Sequence, residues 1–170
     1  MHSILEMKCC EQFPFVGRNL TDDLSKQYEP FEKIGEGTFG EVRRAFDRFN
    51  GKMVAIKYLP ISNATSNSFS KNLGGLPISV FRELQALKQL SGGRGIVKLL
   101  NAYAEESSLC LVMELLVTDL SAVIDSAKQY FPRNRIKCYF QMILEAVSFC
   151  HSRSIIHRDI KPSSKYAILA

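Results

Sequence analysis

Two stretches of this chain place chemically useful residues at close spacing. Ile155-Ile156-His157-Arg158-Asp159-Ile160-Lys161-Pro162-Ser163 sets a carboxylate, flanking cations and a helix-breaking proline directly behind an apolar pair. That order describes a loop carrying reactive groups rather than a core segment. Gly35-Glu36-Gly37-Thr38-Phe39-Gly40 spaces three glycines, and without side chains there, backbone N–H groups can approach phosphate oxygens. Between them, Lys57 follows the apolar Val54-Ala55-Ile56 and Glu83 lies beside a helical apolar stripe. Each signal has a plain structural explanation: a chance polar turn, a tight turn, a strand-end lysine snorkelling to water, a solvated glutamate. The elements around them decide between the readings.

Tyr28 to Ile34 reads as a strand, and Val42, Arg44 and Phe46 alternate with unlike neighbours before the turn signal Asn50-Gly51. A dinucleotide-binding fold needs a helix after its glycines, whereas Glu41 to Phe49 has no helical stripe and runs into a hairpin. The glycines therefore sit on strand, loop and strand. Met53 to Leu59 is a third strand whose period of two puts Ala55 and Lys57 on one face. Ile61 to Gly75 is rich in Ser, Asn and Gly and reads as a flexible insertion. Pro77 opens a helix to Leu90 with Val80, Leu84 and Leu87 as its stripe, and Ser91 to Gly95 breaks it. Ile96 to Ala104 and Leu109 to Glu114 read as two more strands, Leu120 to Ala127 as a short helix that Asp119 can N-cap, and Pro132 to Ser152 as a core helix with Ile136, Phe140, Ile143, Leu144, Val147 and Cys150 on one broad face. His151 fits the negative end of that helix.

These motifs, in this order, resemble the eukaryotic protein kinases. The resemblance runs from Tyr28 to Ser163 and implies an α+β, kinase-like fold: a complete five-stranded small lobe with one main helix over residues 28–116, then the first helices of a truncated helical lobe over 117–163. It implies ATP bound at Ile34, Gly35, Glu36, Gly37, Thr38, Phe39, Gly40, Val42, Ala55, Lys57, Met113, Glu114, Leu116 and Asp119. Lys57 would hold phosphates braced by Glu83, Asp159 would accept the substrate hydroxyl proton, and Lys161 would steady transferred charge. Lys161, two after Asp159, resembles the serine/threonine enzymes. Gly75-Leu76-Pro77-Ile78-Ser79-Val80-Phe81-Arg82-Glu83 is similar to the cyclin-contacting helix of cyclin-dependent kinases, which implies a protein substrate, a cyclin or other regulator on Pro77 to Leu90, and an activation-loop phosphate held by Arg82 and Arg158. Leu111 to Leu116 and Ser148 to His151 look closest to the cell-cycle-related branch.

The resemblance fails from Ser164, where the family has a metal-holding asparagine, and residues 164–170 read as an unrelated tail. With that ligand and the later Asp-Phe-Gly segment missing, the expectation is no protein ligand set for Mg2+ and a truncated chain without activity, or a non-catalytic fragment that binds a cyclin or regulator. Residues 1–27 read as a mobile leader or a loosely docked extension. A composition of 46% hydrophobic and 23% charged residues suits a soluble globular domain, and a net charge of +5 spread along the chain does not call for nucleic acid. The five cysteines form no Cys-x-x-Cys pair, and no run of about 18 apolar residues predicts a membrane span. The expected setting is cytoplasmic or nuclear.

Overall fold

The computed structural model describes residues 24–37, 40–60, 78–105, 108–127 and 131–162. The expected loop tip Thr38-Phe39, the insertion at 61–75, Pro77 and everything from Ser163 onward lie outside them, as does most of the leader. The elements run α1 (Leu24–Gln27), β1 (Tyr28–Gly37), β2 (Gly40–Asp47), β3 (Lys52–Pro60), α2 (Ile78–Gln89), β4 (Leu99–Glu105), β5 (Ser108–Glu114), α3 (Leu120–Ser126) and α4 (Arg133–Ser152). They form two compact units, residues 1–85 with 99–115 and residues 86–98 with 116–170.

The first unit is an antiparallel sheet in the order β1-β2-β3-β5-β4. Its two central strands are buried on both faces, which is why Val54-Ala55-Ile56 and Leu109 to Met113 are continuous apolar runs rather than alternating ones. On one face Tyr28, Ala45, Val54, Ile56, Tyr103, Cys110 and Val112 make a core cluster. The Tyr28 and Tyr103 rings stack there at 5.7 Å, and Asn101 donates to the Tyr28 hydroxyl at 3.2 Å. Fully burying one such aliphatic side chain stabilises by about 1.5–3 kcal/mol. Burial also raises the Cys110 thiol pKa to about 12, so it packs as an inert apolar group. The opposite face carries Lys57.

Asn50-Gly51 does turn the chain, but not as a two-residue hairpin. Asp47 faces Lys52 across four intervening residues, and Gly51, at φ +63°, donates its N–H to the Asp47 carbonyl at 2.8 Å. The Asp47 carboxylate organises this longer turn, accepting from the backbone of Phe49 and Asn50 and from the Asn50 amide. It also accepts from Gln27 Nε2 at 2.9 Å, and Arg48 N–H donates to the Gln27 carbonyl. At the end of that leader Leu24–Gln27 is helical and Gln27 is buried, its amide adding a fourth hydrogen bond to the buried Asp47 carboxylate.

In the second unit Leu90, Ile96, Ala146 and Cys150 form the core, with Ile143, Val147, Phe149 and Ile155 packed against it. The expected fourth strand starts three residues later than its apolar pattern suggested. Gly93 and Gly95 hold a turn closed by the Ile96 N–H to Gly93 carbonyl bond, so Ile96 and Val97 are buried before the ladder begins at Leu99. The broad apolar face expected of α4 is covered only in part. Its 143, 146, 147 and 150 side faces the core, whereas Ile136, Phe140 and Leu144 are 50%, 60% and 53% exposed. At 3.6 residues per turn the expected face is too wide for one neighbour to cover.

Candidate functional site

Lys57 sits on β3 opposite Val42 of β2 and Leu111 of β5, while Ala55 is opposite Arg44 and Met113. One register therefore puts Val42, Ala55, Lys57 and Met113 on the same face, with Val42, Ala55 and Met113 buried. That face has one polar feature at its centre: Lys57 Nζ donates to Glu83 Oε1 of α2 at 2.5 Å, with side chains 19% and 28% exposed. The rest of the α2 stripe is apolar and inward, with Val80 and Leu84 buried and Leu87 half-buried, while Ser79, Arg82 and Gln85 are exposed. The helix thus carries Glu83 to the lysine on the flank of its buried stripe.

The glycine segment is less of a free loop than its sequence suggested. β1 continues to Gly37 and pairs through Gly35 opposite Val42, Glu36 opposite Glu41 and Gly37 opposite Gly40, so Ile34, Gly35 and Glu36 belong to a two-stranded flap. Lys33 bridges Glu36 at 2.6 Å and Arg43 bridges Glu41 at 2.7 Å along it, pairs of the exposed kind that add little stability. Gly40 is required by the sheet itself. Its φ is +138°, and a Cβ there would lie 1.9 Å from the Tyr58 carbonyl oxygen. Glu114 ends β5 opposite Val54, followed by half-buried Leu115 and Leu116.

In the second unit the 155–162 loop begins from a helix end built to turn sharply. The Ile155 N–H donates to Cys150 carbonyl and the Ser154 N–H to His151 carbonyl, with Ser154 at φ 58°. This is the paired-bond motif that closes helices through a left-handed residue, usually glycine. His157 Nδ1 then accepts from the Asp159 N–H at 3.2 Å, and Lys161 Nζ donates to Asp159 Oδ2 at 2.8 Å. The Lys161 hydrogen bond and charge, with a smaller contribution from His157, hold the Asp159 carboxyl below the usual carboxylate range, so it is an exposed, ionised group. Burial of His157 lowers its pKa, with Lys161 adding to the effect against Asp159, which keeps the ring neutral and able to accept that N–H. Arg158, between them, is at φ 67°, a strained conformation for a non-glycine residue and one that clusters at functional loops. Asp119 is the N-cap of α3, its Oδ1 accepting from the Ala122 N–H at 2.9 Å.

Sequence reasoning missed the bracing role of His157 and the strained backbone of Arg158. The first was readable as an imidazole two residues before the acid; the second leaves no mark in the residue type. Among the described residues no group of three or more His, Cys, Asp or Glu side chains converges as a metal site, and no helix is long and apolar enough to cross a membrane.

Residues 28–164 match the family model for the protein kinase domain. Among curated proteins, the chain is similar to cyclin-dependent kinase D-1 of Arabidopsis thaliana, 34% identical over 141 residues. The aligned stretch takes in 83% of this chain and 33% of that relative, so the chain spans about a third of the length of the protein it matches.

Proposed function

Because this chain belongs to the protein kinase family, we propose that it serves phosphoryl transfer from ATP to serine or threonine hydroxyls of proteins, in the manner of the cyclin-dependent kinases. The observation that carries this reading is the Lys57–Glu83 pair on the face of the sheet below the flap. An unbraced lysine tail samples many rotamers; tied to Glu83, its ammonium is held ready for phosphate oxygens. Within the first unit, Ile34 to Gly37 with Gly40 and Val42 would offer flap backbone to phosphates, and small Ala55 with the Glu114 backbone would accommodate adenine beside Met113; Leu116 and Asp119 are the positions that the family resemblance assigns to adenine and ribose.

ATP supplies the transferable γ-phosphate. Asp159, ionised, orients the hydroxyl and accepts its proton, and Lys161 places a cation beside the charge that develops. Ser164 stands where the family has its metal-holding asparagine, and a hydroxyl there holds Mg2+ less well than the amide it replaces, so this chain is expected to lack transfer activity. The exposed Ser79, Arg82 and Gln85 of α2 offer a surface to a cyclin or similar regulator; on this reading the protein acts on a protein substrate in the cytoplasm or nucleus.

Titration calorimetry with ATP tests the reading. Heat of binding that is lost in Lys57→Ala and kept in Asp159→Asn supports it, since the first residue holds the nucleotide and the second acts on the hydroxyl. Binding unaffected by Lys57→Ala would remove its basis.

A further inference from the structure

Three features of the second unit meet at one aromatic ring. Gly93, in the turn after α2, is so close to Phe149 that a Cβ there would lie 2.2, 2.5 and 2.8 Å from three ring carbons. On Phe149 also rests the Arg153 guanidinium, 3.6 Å from the ring centroid. Phe149 packs on the Leu90, Ile96, Ala146 and Cys150 cluster alongside Ile155, the first residue of the loop that bears Asp159. Arg153 is the C-cap of α4, its N–H bonded to the Cys150 and His151 carbonyls, and the next two N–H groups make the bonds that turn the chain into that loop.

We propose that Phe149 is a positioning residue: set against Gly93 and carrying the Arg153 guanidinium on its face, it fixes the end of α4 and through Ile155 sets the order of the 155–162 loop. The turn around Gly93 is rigid in its own right, since the Gly93 N–H donates to the Leu90 carbonyl and its carbonyl accepts from Ile96. It therefore presents a fixed wall, and the half-buried ring is the part that gives way when that wall gains a methyl group. Displacing the ring takes Arg153 off its aromatic face and loosens Ile155, so the strained Arg158 and the His157–Asp159 brace lose the support that keeps them in place. Phe149 touches no reacting group. That the loop it orders is catalytic rests on the kinase reading; that it orders the loop does not.

Hydrogen exchange read by mass spectrometry on the 170-residue chain tests this without needing phosphoryl transfer. Gly93→Ala should speed exchange within 155–162 while leaving the β4 and β5 strands at the wild-type rate. Arg153→Met, which keeps bulk and drops charge, should speed the same loop by about two- to fivefold, the range open to a partly exposed cation–π contact. Arg153→Lys should restore most of the protection. Unchanged exchange at 155–162 in both Gly93→Ala and Arg153→Met, an equal rise throughout the chain in Arg153→Met, or no rescue by lysine would overturn the proposal. Should Gly93→Ala fail to fold, the arginine pair decides alone.

Discussion

Removing the partner of Lys57 probes whether the ion pair is a buried working unit or a surface ornament. With side chains 19% and 28% exposed, the pair lies between two regimes. Exposed pairs couple by about 0–1 kcal/mol, while breaking a fully buried one costs about 3–5 kcal/mol because a charge is stranded. A hydrogen bond to a charged group contributes about 1.5–3 kcal/mol. For this geometry, a 2.5 Å contact flanked by buried Val42, Ala55 and Leu111, we expect a coupling of about 2 kcal/mol. Lys57 has further interactions besides Glu83, so neither single substitution reports the pair. A double-mutant cycle does: Lys57→Met, Glu83→Gln and both together, each unfolded in urea and followed by circular dichroism, since the chain has no tryptophan. Each single variant should lose stability, and the double variant should lose clearly less than their sum. A coupling under about 0.5 kcal/mol would assign the pair to the exposed class and refute the claim that Glu83 preorganises the lysine.

Four further outcomes follow from other sites in the structure. Gly40→Ala must fit a Cβ 1.9 Å from the Tyr58 carbonyl at φ +138° and should destabilise by about 3 kcal/mol or more in urea unfolding, with ATP affinity falling as well. Ser154→Gly removes the left-handed strain at φ 58°; it should add about 1 kcal/mol and raise the melting temperature by about 2–4 °C, a gain absent in Ser154→Ala. His157 has a folded pKa below its ordinary value of 6.5, so the unfolded chain binds more protons in that window. Its contribution is complete above pH 6.5 and is lost as pH falls through the lowered value; melting temperatures across this range should show a step that His157→Gln abolishes. Asp47, whose several hydrogen bonds outweigh the upward push of burial and leave its pKa lowered, adds a second loss at more acid pH.

Much of the first unit was legible because its signals are local. Apolar runs of strand length, an Asn-Gly turn and a helix stripe with period 3.6 mark where strands, turn and helix lie and which face of each can be buried. Lys57 and Ala55 had to share a face once Met53 to Leu59 was a strand. The order of the glycines, Lys57, Glu83 and the His157-Arg158-Asp159 triplet pointed to the kinase family, to which the chain belongs. These are properties of neighbours in sequence, and a side chain's period along a strand or helix needs no knowledge of what packs upon it.

Tertiary structure decided what depends on distant partners. That Gly40 answers to the Tyr58 carbonyl, that Gln27 is buried to satisfy Asp47, and that Phe149 lies against Gly93 all join residues that local pattern cannot connect. The outward turn of Ile136, Phe140 and Leu144 belongs here too, since an apolar stripe states only that a face can be buried. Whether it is buried depends on a neighbour, and a helix's own sequence does not contain its neighbour.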